Sequence, residues 1–334
     1  MKKVLSIVLA LVMVLSMASV AMAADLPSVG VTIYKFDDTF MTGVRIAIEE
    51  AAKDVATIET VDSQNNQATQ NDQVDLFLSK GVSALAINPV DRTAAGVIID
   101  KAMAKDIPVV FFNREPLPED MAKSDAVYYV GAKAEESGTM SGQIIADYFK
   151  AHPEADKNGD GVIQYVMLTG EPGHQDAELR TKYSIQYLTD NNYKVECLAQ
   201  DTAMWDRVKG QDKMATFLAA HPDQIEAVFA NNDDMALGAI EALKAQGYFT
   251  EGGKYVPVLG VDATAVGKDA IKAGTMLATS LNDAKNQAYA TVELAALLGE
   301  GKTPGADNFS YPITDGKYVW IPYVAVDATN VDQF

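Results

Sequence analysis

Cysteine is nearly absent: Cys197 is the only one in 334 residues. No intramolecular disulfide can form, so the chain must be held by its own core or by something it binds. Histidine is almost as scarce, with three residues, and offers neither a zinc cluster nor a Cys/His pair. No G-x-S-x-G elbow occurs. Gly301-Lys302-Thr303 has the end of a phosphate-binding loop, but the required earlier glycine is Ala296 and the segment follows a helical pattern where a strand is needed. Positive charge is short too: 27 Lys and Arg against 46 Asp and Glu leave a formal charge of −19, which repels nucleic acid and anionic membrane surfaces. No Gly/Ser-rich or Pro-rich linker divides the chain.

What is present begins with Lys2 and Lys3, an apolar run from Val4 to Val20, and Ala21-Met22-Ala23 ahead of Asp25. This pattern reads as a signal peptide over residues 1–23, with a membrane anchor as the alternative. A lipoprotein would need cysteine at the cleavage point, and Cys197 is far from it. No later stretch is apolar for long enough to span a bilayer, so the expected location is periplasmic, as a soluble monomer.

Short β-rich runs alternate with helix-sized amphipathic segments. Strands are expected at Val29 to Lys35, Ile58 to Val61, Ala84 to Pro89, Val109 to Asn113, Val127 to Val130, Ile163 to Thr169, Val195 to Ala199, Ala227 to Ala230, Val256 to Gly260 and Met276 to Leu281. Such βαβ repetition predicts an α/β fold with parallel sheets, and the strands are too many for one open sheet. Two lobes with several crossings result. Residues 24–131 plus about 263–298 are assigned to the first lobe, and residues 132–262 plus about 299–334 to the second.

Ligands of open parallel sheets bind beyond the carboxyl ends of strands. Reading past each strand selects Asp38 and Phe40, Asn113, His174 with Asp176 and Arg180, Trp205, Asn232, Asp262 and Asn282. Carboxylates, amides and a guanidinium suit hydroxyls that both donate and accept, while Phe40 and Trp205 offer flat partners for a sugar ring. Each residue also has an ordinary role available: caps for Asp38 and Asp262, turns for Asn232 and Asn282, core for Trp205. A glycosidase pair made from Asp38 and Asp262 stands as the enzyme alternative.

Asp156-Lys-Asn158-Gly-Asp160-Gly-Val162-Ile-Gln164 matches the first nine positions of an EF-hand loop, with Val162 contributing its carbonyl. Position twelve is Met167, not the closing glutamate, so a calcium site needs an acid from elsewhere.

Gly30-Val-Thr-Ile-Tyr-Lys-Phe-Asp-Asp-Thr-Phe40, Val109-Val-Phe-Phe-Asn-Arg-Glu-Pro116, Gly170-Glu-Pro-Gly-His-Gln-Asp-Ala-Glu-Leu-Arg180, Asp201-Thr-Ala-Met-Trp-Asp206 and Ala230-Asn-Asn-Asp233 resemble the galactose/glucose-binding proteins of bacterial sugar transporters. The resemblance spans nearly the whole mature chain. It implies a type I periplasmic-binding-protein fold, two Rossmann-like lobes joined by a three-strand hinge, a sugar in the interlobe cleft, no catalysis, a membrane permease as partner and a chemotaxis receptor as a further one. It places sugar contacts on the same ten residues and names Glu226 as the acid that closes the calcium site. Two departures stand out: Gln175 where proline is expected, and Val162 where glutamine is expected. A cytoplasmic sugar-responsive repressor of this fold would begin with a basic helix-turn-helix, which is not found here.

Overall fold

The computed structural model describes residues 26–334. The signal-peptide assignment lies outside the described residues. Among the described residues, twelve short strands form two six-stranded sheets, and ten α-helices cover them.

The first sheet runs β11-β5-β4-β3-β1-β2, from β1 (Ser28–Ile33), β2 (Thr57–Asp62), β3 (Ala84–Ile87), β4 (Val109–Phe112), β5 (Val127–Gly131) and β11 (Tyr318–Trp320). The second runs β12-β10-β9-β8-β6-β7, from β6 (Val162–Thr169), β7 (Lys194–Thr202), β8 (Ala227–Ala230), β9 (Val258–Leu259), β10 (Ala278–Leu281) and β12 (Val324–Asp327). Every pairing is parallel except β10 with β12.

The helices are α1 (Thr39–Ala51), α2 (Gln67–Lys80), α3 (Ala95–Met103), α4 (Pro118–Met121), α5 (Ala134–Ala151), α6 (Gln175–Asp190), α7 (Arg207–Ala220), α8 (Asp233–Ala245), α9 (Ala265–Lys272) and α10 (Ala284–Gly299). In α1 the buried residues are Met41, Val44, Ala47 and Ile48, a three-and-four spacing that lays one stripe on the sheet. Side-chain caps start most helices just past a strand: Asp38 accepts from Met41 N, Asn66 from Thr69 N, Asp206 from Lys209 N and Asn232 from Met235 N. Among the described residues no helix is long and apolar enough to cross a membrane.

The expected lobe boundaries need correction at two places. Residues 263–281 belong to the second lobe, because Ala278 pairs with Leu259 and Asp327, and because Ile271 and Met276 join the core of Val166, Leu168 and Ile240. Residues 299–321 belong to the first lobe, together with 284–298 as expected: Ala288, Leu294, Phe309 and Val319 share a core with Val31 and Val110, and β11 pairs with β5. The chain therefore crosses three times, after Gly131, between Leu281 and Ala284, and between Trp320 and Val324.

Candidate functional site

All ten residues selected at strand ends line one chamber between the lobes. Asp38, Phe40 and Asn113 come from the first lobe. His174, Asp176, Arg180, Trp205, Asn232 and Asp262 come from the second, and Asn282 from the second crossing. Tyr34, Met41 and Arg114 line it as well, and the strand-end reading had passed over them.

Asp38 fills the cap role that its sequence position offered, and lines the chamber as well. Its Oδ1 accepts from Met41 N at 2.7 Å, capping α1, and its Oδ2 accepts from the Tyr34 hydroxyl at 2.7 Å. Asn232 likewise caps α8 through Oδ1 at 2.9 Å while its Nδ2 donates to the Trp205 carbonyl at 3.2 Å. Asn113, Trp205 and Asp262 all sit at positive φ (62°, 62° and 122°), a costly backbone that aims consecutive groups into the chamber. Asn113 is held there by Tyr129, whose hydroxyl donates to its carbonyl at 2.9 Å, and by Asn88, whose Nδ2 donates to its Oδ1 at 3.1 Å. Gly170 is needed beneath Trp205, since a Cβ there would come within 2.1 Å of the indole ring.

Arg180 is the central cation. It donates to the Asn231 carbonyl at 2.8 Å, to Asp176 Oδ2 at 3.1 Å and to the Tyr323 hydroxyl at 2.8 Å, and its Nε is buried without a partner. The Trp205 indole Nε1 is also a buried donor without a partner. Burial raises the carboxyls of Asp38, Asp176 and Asp262 above the usual range, most strongly at Asp262. Only Asp176 is in direct contact with a cation; Asp262 accepts from Asn282 Nδ2 at 3.2 Å. Burial, reinforced by Arg114 and Arg180, pushes His174 well below its ordinary value and keeps it neutral. Its Nδ1 accepts from Asp176 N at 3.1 Å, so the ring proton sits on Nε2. The chamber thus presents carboxylate acceptors alongside unpaired N–H donors and two aromatic faces. That chemistry suits a small ligand whose groups both donate and accept.

The lobes meet around this chamber. Thr39 Oγ1 of the first donates to Asp234 Oδ2 of the second, and Glu171 of the second accepts from Arg114 and Asn65 of the first.

The Asp156–Gln164 loop lies at the other end of β6. Asp156 accepts from Gly159 N and Gly161 N at 2.8 and 2.9 Å, Asn158 Oδ1 from Asp160 N at 2.9 Å, and Asp160 Oδ1 from Val162 N at 2.8 Å. Glu226, 1% exposed, folds over the loop and accepts from Lys157 N at 2.6 Å and Gln164 N at 3.2 Å. Burial raises its carboxyl, with Asp156 adding to the shift. Gln164 Oε1 is buried with no hydrogen-bond partner. Among the described residues no three His, Cys, Asp or Glu are placed to hold a metal ion, and here Asp156, Asp160 and Glu226 accept from backbone N–H groups, so an ion would have to draw them together, with the Gln164 amide oxygen beside them. Hard, oxygen-only donors of this kind fit calcium.

Two lobes, three crossings and a polar chamber between them are the architecture of a solute-binding protein of type I fold. The chain belongs to the periplasmic binding protein domain family, which matches residues 29–303. It is 46% identical over 323 residues to the D-galactose/methyl-galactoside binding periplasmic protein MglB of Haemophilus influenzae, covering 96% of this chain and 95% of the relative. It is 32% identical over 280 residues to the ribose import binding protein of Escherichia coli, covering 84% and 86%. Among solved structures, an ABC transporter solute binding protein from Bacillus halodurans with bound myo-inositol is 30% identical with a TM-score of 0.77, covering 93% of this chain and 97% of the other.

Proposed function

We propose that the chain is the sugar-capturing component of an ABC transporter for D-galactose and D-glucose. One observation carries this reading. The half-buried Asp38 and the buried Asp262 are carboxylates with no cation in direct contact, in one chamber with the unpaired donors Arg180 Nε and Trp205 Nε1. A neutral ligand bearing several hydroxyls satisfies both sets at once. The galactoside relative, similar along its whole length, supports the choice of hexose.

The sugar stacks between Phe40 and Trp205 and takes polar contacts from both lobes, so binding favours the closed arrangement. The closed, loaded protein is then read by a membrane permease, and by a chemotaxis receptor in the same form. It works as a periplasmic monomer after removal of the leader. Calcium is its structural ion, held by Asp156, Asn158, Asp160, the Val162 carbonyl, Gln164 and Glu226; it supplies charge that ties the loop to β6 and takes no part in sugar contacts.

Titration calorimetry with galactose, glucose, ribose, glucosamine and myo-inositol tests the assignment. Tight binding of galactose and glucose over the others is expected. Preference for ribose, inositol or the amino sugar would replace the hexose by that ligand.

A further inference from the structure

Glu171 sits in the second-lobe loop between β6 and α6, three residues before His174. Its Oε2 accepts from Arg114 Nη2 at 2.7 Å and its Oε1 from Asn65 Nδ2 at 3.2 Å, both of the first lobe. Among the described residues these are the only side-chain hydrogen bonds that Glu171 makes. The pair is shielded, with 6% of the Arg114 side chain and 18% of the Glu171 side chain exposed.

Arg114 is braced from its own lobe. Its guanidinium lies 3.6 Å from the centroid of the Tyr34 ring and donates to the Val90 carbonyl at 2.8 Å. Tyr34 in turn donates to Asp38. Asn113 and Arg114 both line the chamber, and Arg114 also reaches across the cleft to Glu171. Glu171 itself does not line the chamber.

We propose that Glu171 is a closure clasp: it makes no contact with sugar, yet sets sugar affinity by holding the lobes together through Arg114 and Asn65. The inference rests on the sugar-binding reading above. Apparent affinity scales with the population of the binding-competent closed form, so a bond made only on closure strengthens binding without touching ligand. Such a bond acts on escape more than on capture, because the ligand leaves only after the lobes part. An ion pair that is shielded but not sealed is weakened by salt.

The test compares the parent with Glu171→Gln and Glu171→Ala, using galactose and glucose at low and high sodium chloride. Both variants are expected to bind about three- to tenfold more weakly, the range for a partly buried, charge-assisted pair. The loss should be equal for the two sugars and appear in the dissociation rate. Raising salt should weaken the parent more than the variants. Melting without sugar should be unchanged, because the clasp is absent when the lobes are apart. Unchanged affinity in both variants overturns the clasp. So does a lowered sugar-free melting temperature in step with the lost affinity, which would make Glu171 an ordinary structural residue. A parent that binds neither sugar overturns the functional reading and the clasp with it, whereas variants that bind like a competent parent overturn the clasp alone.

Discussion

The Tyr34 hydroxyl donates to Asp38 at 2.7 Å while the same carboxylate caps α1 through its other oxygen. Each oxygen keeps lone pairs free, so Asp38 can accept from an equatorial or an axial hydroxyl of a sugar ring without moving. Asp38→Ala should therefore weaken galactose and glucose alike, by about one to two orders of magnitude for a lost charge-assisted bond. Because the cap goes too, sugar-free stability should fall by about 1 kcal/mol. Calorimetry beside a melting curve checks both. Loss for one sugar alone would contradict the shared-acceptor role.

Gly170→Ala places a methyl where the Trp205 ring now lies. The indole must shift into the chamber, at a cost of about 1–3 kcal/mol for overpacking. Affinity should fall about tenfold or more, in line with that cost, and the indole fluorescence should change in the sugar-free protein. Parent-like affinity and fluorescence would mean that Trp205 is not a wall of the site.

Asp233 is fully buried and accepts from Thr279 Oγ1 at 2.6 Å and from Thr264 N at 2.7 Å, but it has no cation in contact. Burial pushes its carboxyl up to about 6. A folded value above the unfolded 3.8 means that the folded state holds the proton more tightly. The group's relative stabilisation is thus complete below pH ~4 and is lost as pH rises through about 6. Asp233→Asn should remove that slope, of order 2 kcal/mol. Denaturant unfolding between pH 4.5 and 7 reads it, and parallel curves for the two proteins would refute the assignment.

A chelator should lower the melting temperature of the parent, since an ion bound only to the folded state stabilises it by mass action. Glu226→Gln should melt lower than the parent in calcium and respond less to chelation. Identical melting of variant and parent, with and without calcium, would remove Glu226 from the ion's ligands.

Most of the strands were legible because a run such as Val109 to Phe112 is apolar throughout, as buried parallel strands are. Tyr318–Trp320 and Val324–Asp327 were not, being three and four residues long without alternation that stands out. Lobe membership was misread for residues 263–281 and 299–321 because local pattern marks a strand but not the sheet it joins; the pairings of Ala278 with Leu259 and of Val319 with Val130 decide that. The chamber residues emerged from strand ends because caps such as Asp38 and Asn232 stand where the ligand side of a parallel sheet must be. Tyr34 and Arg114 escaped since one lies at the end of a strand pattern and the other beside Asn113 in the same motif. Glu171 carries no local signal for its bonds to Arg114 and Asn65, which are made across the cleft.

Solution scattering with and without sugar tests the central claim most directly, because chamber contacts come from both lobes at once. The radius of gyration should fall as galactose is added, saturating at the same concentration as the calorimetric titration. A radius unchanged at saturating sugar would contradict capture by lobe closure.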